Sequence, residues 1–228
     1  MSKYTLSCFC WLVLIGCKSL WPDTRAVNAL KEDKDSVSNT KIYGHRGDFK
    51  FYPENTISAF KSAMARKSYN DAIVGFELDV QVMTNGMGKD IVVVLHDDNL
   101  LRTTEPGQDK FQSFLKKNIW ELNYDDIKDI SVGSGGEKVP TLKSVLDLVS
   151  DDSQVLIELK TSGDAIVDER LVKAMADIFS DPIYQAKSKS LDFISFDAAI
   201  LEALASDIRT KNIGIYRVFS EDGIRSFI

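Results

Sequence analysis

Apolar and polar positions alternate without a break from Gly75 to Val82. Phe76, Leu78, Val80 and Val82 face one way and Glu77, Asp79 and Gln81 the other, which is the period of a β-strand. A half-exposed strand with a solvated polar face would show the same alternation. Two further stretches argue for another use of that face. His96 follows the apolar run Ile91–Leu95, and Glu158 sits inside Val155-Leu156-Ile157-Glu158-Leu159-Lys160. Acidic side chains on otherwise apolar strands imply a shared buried site, because an unpaired carboxylate in a core is costly. A divalent cation is the simplest partner for Glu77, Asp79 and Glu158 together.

The same patterning predicts strands over 41–44, 74–82, 91–95, 154–160, 191–196 and 212–218. A helix is expected from Ile57, where Ile57, Phe60 and Met64 have helical spacing behind Pro53-Glu54-Asn55-Thr56. Others are expected over 111–122, 142–149, 164–179 and 198–208. In the third of these, Val167, Leu171, Met175 and Ile178 share one face. Asn85-Gly86 marks a turn. The stretch 99–139 is long and irregular for a βα connection, so it reads as a small insertion after the third strand, with short elements of its own. Strand–helix–strand order with polar residues at strand ends places the chain in the α/β class, as a barrel or an open sheet.

The chain has 228 residues, 44% hydrophobic and 27% charged, enough for one domain with a sizeable core. A net charge of −6 and the lack of a basic stripe interleaved with aromatics speak against a nucleic-acid partner. Lys3 and the apolar run Leu6–Ile15 read as a targeting leader over 1–16, too short to span a bilayer comfortably. Leu14-Ile15-Gly16-Cys17 resembles the bacterial lipobox. That resemblance implies cleavage before Cys17, lipid attachment to its sulfur, and a lipid-anchored protein of the bacterial cell envelope, facing the periplasm or the exterior. Cys8 and Cys10 would leave with the leader, so no intrachain disulfide is expected. Residues 17–40 are polar and mixed in charge and read as a tether to a domain over 41–228.

Several separated motifs carry a closer resemblance. In order they are Gly44-His45-Arg46-Gly47, Pro53-Glu54-Asn55-Thr56, Glu77-Leu78-Asp79-Val80, Leu95-His96-Asp97, Leu101-Arg102-Thr103-Thr104, Val139-Pro140-Thr141-Leu142, Ile157-Glu158-Leu159-Lys160 and Ser195-Phe196-Asp197. Each alone is weak. Together, from about Ile42 to Val218, the chain resembles the glycerophosphodiester phosphodiesterases. The resemblance implies a TIM (β/α)8-type barrel with its site at the C-terminal ends of the strands. It also implies a metal-dependent hydrolase that cleaves a small glycerophosphodiester to an alcohol and glycerol 3-phosphate.

Residue by residue, it implies that Glu77, Asp79 and Glu158 ligate one divalent cation. An all-oxygen set suits Ca²⁺ or Mg²⁺. His45 and His96, the only two histidines, match the acid/base pair. Arg46 would bind phosphate oxygens, and Lys160 either binds phosphate or partners the carboxylates. Glu54 and Asn55 either orient the metal site or cap the following helix. Asp97 holds its loop or the His96 ring, and Ser195 and Asp197 belong to the barrel rim.

The stretch from Lys41 to Ile228 is short of the roughly 250 residues usual for such a barrel. Six strands are expected, with the last two and a Trp-containing terminal segment of the family missing. The alternatives are therefore a catalytically inactive, truncated lipoprotein, or a related phospholipase C or D type of barrel enzyme. The phospholipase reading calls for an apolar rim, and the sequence offers no obvious one. A carboxylate-pair glycosidase on Glu77 and Glu158 leaves His45 and Arg46 without a role.

Overall fold

One long strand positions everything else. In the computed structural model, which describes residues 41–69, 73–150, 152–207 and 214–215, the alternating stretch lies within β2 (Ile73–Thr84). The leader over 1–16, Cys17, the tether over 17–40 and most of the expected strand over 212–218 lie outside the described residues. The chain separates into a unit ending at Ile42 and one beginning at Tyr43, and the second is the one described below.

The elements in order are β1 (Ile42–Gly44), α1 (Ile57–Arg66), β2, β3 (Asp90–Val94), α2 (Gln112–Leu115), α3 (Tyr124–Ile127), β4 (Ser131–Val132), β5 (Glu137–Lys138), α4 (Leu142–Leu146), β6 (Gln154–Leu159), α5 (Ala165–Phe179), α6 (Pro182–Ala186), β7 (Leu191–Ile194), α7 (Ala198–Ser206) and β8 (Gly214–Ile215). The sheet runs β1-β2-β6-β7-β8, with β3 also on β2. The pairs β2–β6, β6–β7 and β7–β8 are parallel. Among the described residues no helix is long and apolar enough to cross a membrane.

Helix starts follow from side-chain caps. Thr56, Thr141, Asp164, Asp181 and Asp197 each accept a hydrogen bond from the first turn of the helix they precede. The apolar side chains of the sheet pack on these helices in one core. Phe76 stacks on Phe60 of α1 with centroids 4.6 Å apart, and Phe179 of α5 meets Phe193 of β7 at 5.6 Å. All four rings are buried, so removing any one costs about 3–5 kcal/mol. Gly75 allows β2 and β6 to approach, since a Cβ there would lie 1.7 Å from the Gln154 carbonyl oxygen.

Three expectations change. First, β3 is not a parallel barrel strand. It pairs antiparallel with β2, Val80 opposite Val94 and Thr84 opposite Asp90. Only Asn85–Lys89 separate the two strands, a hairpin length that cannot make the crossover a parallel neighbour needs. Second, the helix expected over 111–122 breaks into a 3₁₀ turn, α2 and another 3₁₀ turn. Within 99–139, Leu100, Phe111, Leu115, Ile119, Ile127 and Val132 form a small core with Met83 and Val93, separate from the main one. Third, α4 ends at Leu146, short of Val149, and α6 was not anticipated.

Candidate active site

The polar face of β2 holds Glu77, Asp79 and Gln81, all buried despite their polarity. The parallel register sets Asp79 opposite Glu158 of β6. Each of Glu77, Asp79 and Glu158 offers a carboxylate oxygen within 4.8 Å of the other two. Strand alternation therefore supplied two of the acids, and the sheet register brought the third to them.

The loop after β1 closes one side. Arg46 and Asn55 adopt left-handed backbone, φ 52° and 57°, a conformation that non-glycine residues hold only when their surroundings dictate it. Those surroundings are the acids. The Arg46 amide donates to Glu77 Oε2 at 2.8 Å, and Asn55 Nδ2 donates to Asp79 Oδ2 at 2.8 Å. The Asn55 amide donates to the Arg46 carbonyl at 3.0 Å, locking the two turns together. Gly47, at φ +80°, packs where a Cβ would lie 2.8 Å from Ala59 of α1. Asn55 thus touches the metal-type acids directly, while Thr56 caps α1.

The two histidines reach the same end of the sheet by different routes. His45 Nε2 lies 4.0 Å from Glu77 Oε2, on the exposed rim. Desolvation, and then the Arg46 charge, lower its pKa below the ordinary 6.5. His96 comes from the return leg of the β2–β3 hairpin, where the Leu95 amide donates to the Asp79 carbonyl at 3.0 Å. It lines a cleft of about 510 Å³ with Asp97, Glu158, Lys160, Ser195 and Phe196. Lys160 Nζ sits 2.8 Å from Glu158 Oε1 and 3.8 Å from Asp79 Oδ1, so it partners the carboxylates. Ser195 donates to the Leu159 carbonyl at 2.8 Å, and Asp197 caps α7.

Arg102, quoted above only within a motif, proves central to a second network. Its guanidinium meets Asp97 at 2.6 and 2.9 Å and Glu54 at 2.6 and 2.9 Å. Glu54 also takes Arg46 Nη1 at 2.9 Å. Burial alone would raise the Glu54 carboxyl, but the two arginines outweigh it and its pKa falls. Burial likewise raises Asp97, yet Arg102 and His96 bring it down to about 2. The signal in the sequence was the spacing of Asp97 and Arg102 within one loop; the link to Glu54 spans 48 positions and had none.

The three β2/β6 acids stand differently. Burial and then Asp79 push Glu77 up, and burial with Asp79 keeps Glu158 raised against the pull of Lys160. Glu77 Oε1 and Asp79 Oδ1 are buried and have no hydrogen-bond partner. Three carboxylates face two cations, Arg46 and Lys160, so negative charge is left over. Converging oxygens short of donors are what a hard divalent cation binds, and Glu77, Asp79 and Glu158 fit one.

Comparison with known proteins adds ancestry to this geometry. Residues 45–220 match the profile of the glycerophosphoryl diester phosphodiesterase family. A glycerophosphodiester phosphodiesterase of Caldanaerobacter subterraneus is 39% identical over 142 residues, covering 60% of this chain and 52% of that protein. One of Bacillus altitudinis is 35% identical over 131 residues, covering 54% and 46%. The chain thus spans about half the length of these relatives. The solved structure of a glycerophosphodiester phosphodiesterase from Thermotoga maritima aligns with a TM-score of 0.54 at 30% identity, over 81% of this chain and 66% of that one. That from Agrobacterium tumefaciens aligns with a TM-score of 0.54 at 25% identity, over 73% and 62%. These neighbours are TIM barrels, and the parallel sheet described here is of that type.

Proposed function

The chain belongs to the glycerophosphoryl diester phosphodiesterase family, and from that premise we propose that it hydrolyses a glycerophosphodiester to an alcohol and glycerol 3-phosphate. The observation that supports this most is the convergence of Glu77, Asp79 and Glu158 within 4.8 Å. In this reading they hold one divalent cation, Ca²⁺ or Mg²⁺, which when bound supplies charge neutralisation at the phosphate. Arg46 and Lys160 flank the triad and present donors to the remaining phosphate oxygens, Lys160 exchanging part of its contact with Glu158 for the substrate. His96 lines the cleft and His45 Nε2 lies 4.0 Å from Glu77, and the two serve as the acid/base pair at their Nε2 atoms. Glu54 and Asn55 hold Arg46 and Asp79 in place.

The test is incubation of the chain with glycerophosphocholine, with Ca²⁺ or Mg²⁺ and with EDTA, following release of glycerol 3-phosphate. Cation-dependent release is expected. No product at any cation concentration would favour the inactive-lipoprotein alternative. The proposal extends to the cell envelope through acylation at Cys17, so Cys17→Ser is expected to move the protein from the membrane fraction to the soluble one.

A second reading, a related phospholipase acting on a lipid-borne phosphodiester, gains one specific observation. Phe49, Phe51, Leu101 and Phe196 are exposed. Phe49 lies edge-on to His45 at 5.8 Å, and Phe196 sits 6.0 Å from the Lys160 ammonium. Exposed apolar rings thus flank His45 and Lys160 from loops distant in sequence. Faster turnover of lysophosphatidylcholine than of glycerophosphocholine would favour this reading.

A further inference from the structure

Gln81 is the third polar residue on the inner face of β2 and has no role in the chemistry just described. Its side chain is buried, at 3% exposure. Residue pairing between β2 and β3 ends at Val80–Val94, and after one further bond, from the Leu95 amide to the Asp79 carbonyl at 3.0 Å, the returning chain leaves β2. The carbonyls of the next three residues turn back on Gln81. Its Nε2 lies 3.1 Å from the Leu95 oxygen, 3.2 Å from that of His96 and 2.7 Å from that of Asp97. Three acceptors converging on one amide can be met only by its nitrogen end, whose two hydrogens are shared among them. Carbonyls that turn inward at the end of a ladder need such a donor.

His96 is the middle residue of this clamped tripeptide. Its ring is held separately: Nδ1 lies 2.8 Å from Asp97 Oδ1. Asp97, with its pKa near 2, is an acceptor at neutral pH, so Nδ1 must carry the hydrogen. The tautomer with its hydrogen on Nδ1 has its lone pair on Nε2. That geometry depends on the Asp97 backbone staying where Gln81 anchors it, while the Leu95 amide bond to Asp79 fixes the start of the loop and Arg102 holds the Asp97 carboxylate from the outer side.

We propose that Gln81 is a positioning residue for His96. By fixing the backbone of 95–97 from inside the barrel, it sets the tautomer and direction of the imidazole. The inference rests on the hydrolase reading above for its kinetic consequence, but not for its structural one.

The experiment replaces Gln81 by Met, which keeps the length and removes the donors, in the full chain with Ca²⁺ or Mg²⁺ present. On glycerophosphocholine, kcat is expected to fall about 10- to 100-fold with KM changed less than about threefold, the signature of a misplaced reacting group. Imidazole ¹⁵N spectra give an independent readout, since the chain has two histidines and His45→Gln leaves one. The Nδ1–H form of His96 is expected to dominate in the parent chain and to give way to a mixture in Gln81→Met. Gln81→Asn, one methylene too short to reach, should act in the same direction and serves if the Met variant does not fold. Leu204→Ala, in the buried core of α7, is the stability-matched control and should move neither readout. Unchanged tautomer and kcat in both Gln81 variants would overturn the proposal. So would an equal change in Leu204→Ala, which would make the effect merely structural. Absence of turnover in the parent chain would overturn the hydrolase reading instead, and the spectra alone would then decide the role of Gln81.

Discussion

Glu77, Asp79 and Glu158 on one side, and Glu54 and Asp97 on the other, are the same chemical groups at the same end of the sheet, under opposite electrostatic conditions. Glu54 and Asp97 are saturated by Arg46 and Arg102, and their pKa values fall. Glu77 and Glu158 are raised first by burial and then by the charge of Asp79 beside them. Two buried oxygens of that triad lack a hydrogen-bond partner. The saturated set behaves as scaffold, complete within the protein. The crowded set carries stored repulsion that a cation would relieve. The difference separates carboxylates complete within the protein from those that could bind a metal ion, a distinction their sequence contexts do not make.

The strongest way to break this contrast is to neutralise one acid of the triad. Glu77→Gln is expected to lower turnover about 10³-fold or more. The metal-free fold should be undiminished, or stabilised by about 1 kcal/mol, because one buried like charge is gone. A large loss of metal-free stability in urea unfolding would instead make Glu77 scaffold. Next, saturating Ca²⁺ or Mg²⁺ should stabilise the parent chain by about 2–3 kcal/mol at a hundredfold excess over Kd, and Glu77→Gln much less. Equal gains in the two melting curves would separate the cation from the triad.

Arg102→Leu probes the other set. It should cost about 2 kcal/mol of stability, less than a fully buried pair since Arg102 is half exposed, and about tenfold in turnover through His96. A 10³-fold loss of turnover with full stability would erase the distinction between the sets.

The smallest effect is in pH. Asp97 is ordinarily near 3.8 and is held at about 2, so its contribution is present above about pH 4 and lost as pH falls toward 2. With solvent screening it amounts to about 1–2 kcal/mol. Glu77 and Glu158 have the opposite sign. Raised above 4.5, they favour the metal-free fold below that pH and weaken it as pH rises and they ionise. Metal-free stability measured from pH 2 to 8 should therefore peak at mildly acidic pH, and added cation should flatten the decline on the alkaline side.

Much was written in the sequence because it depends on near neighbours. The period-two alternation of β2 determines that Glu77, Asp79 and Gln81 share a face, and it buries Phe76, Leu78 and Val80 opposite them. Cap residues set where α1, α4, α5 and α7 begin. The motifs around His45 and His96 carried the family. The direction of β3 was also implicit in the short link from Asn85 to Lys89, although an α/β expectation masked it. Only the tertiary structure set Asp79 opposite Glu158, tied Glu54 to Arg102, set Phe196 beside Lys160, and turned Gln81 onto the backbone of His96. Local chain geometry specifies which face a side chain takes. Which charges then meet is decided by strand register and loop closure, and those follow from packing the whole sheet against its helices.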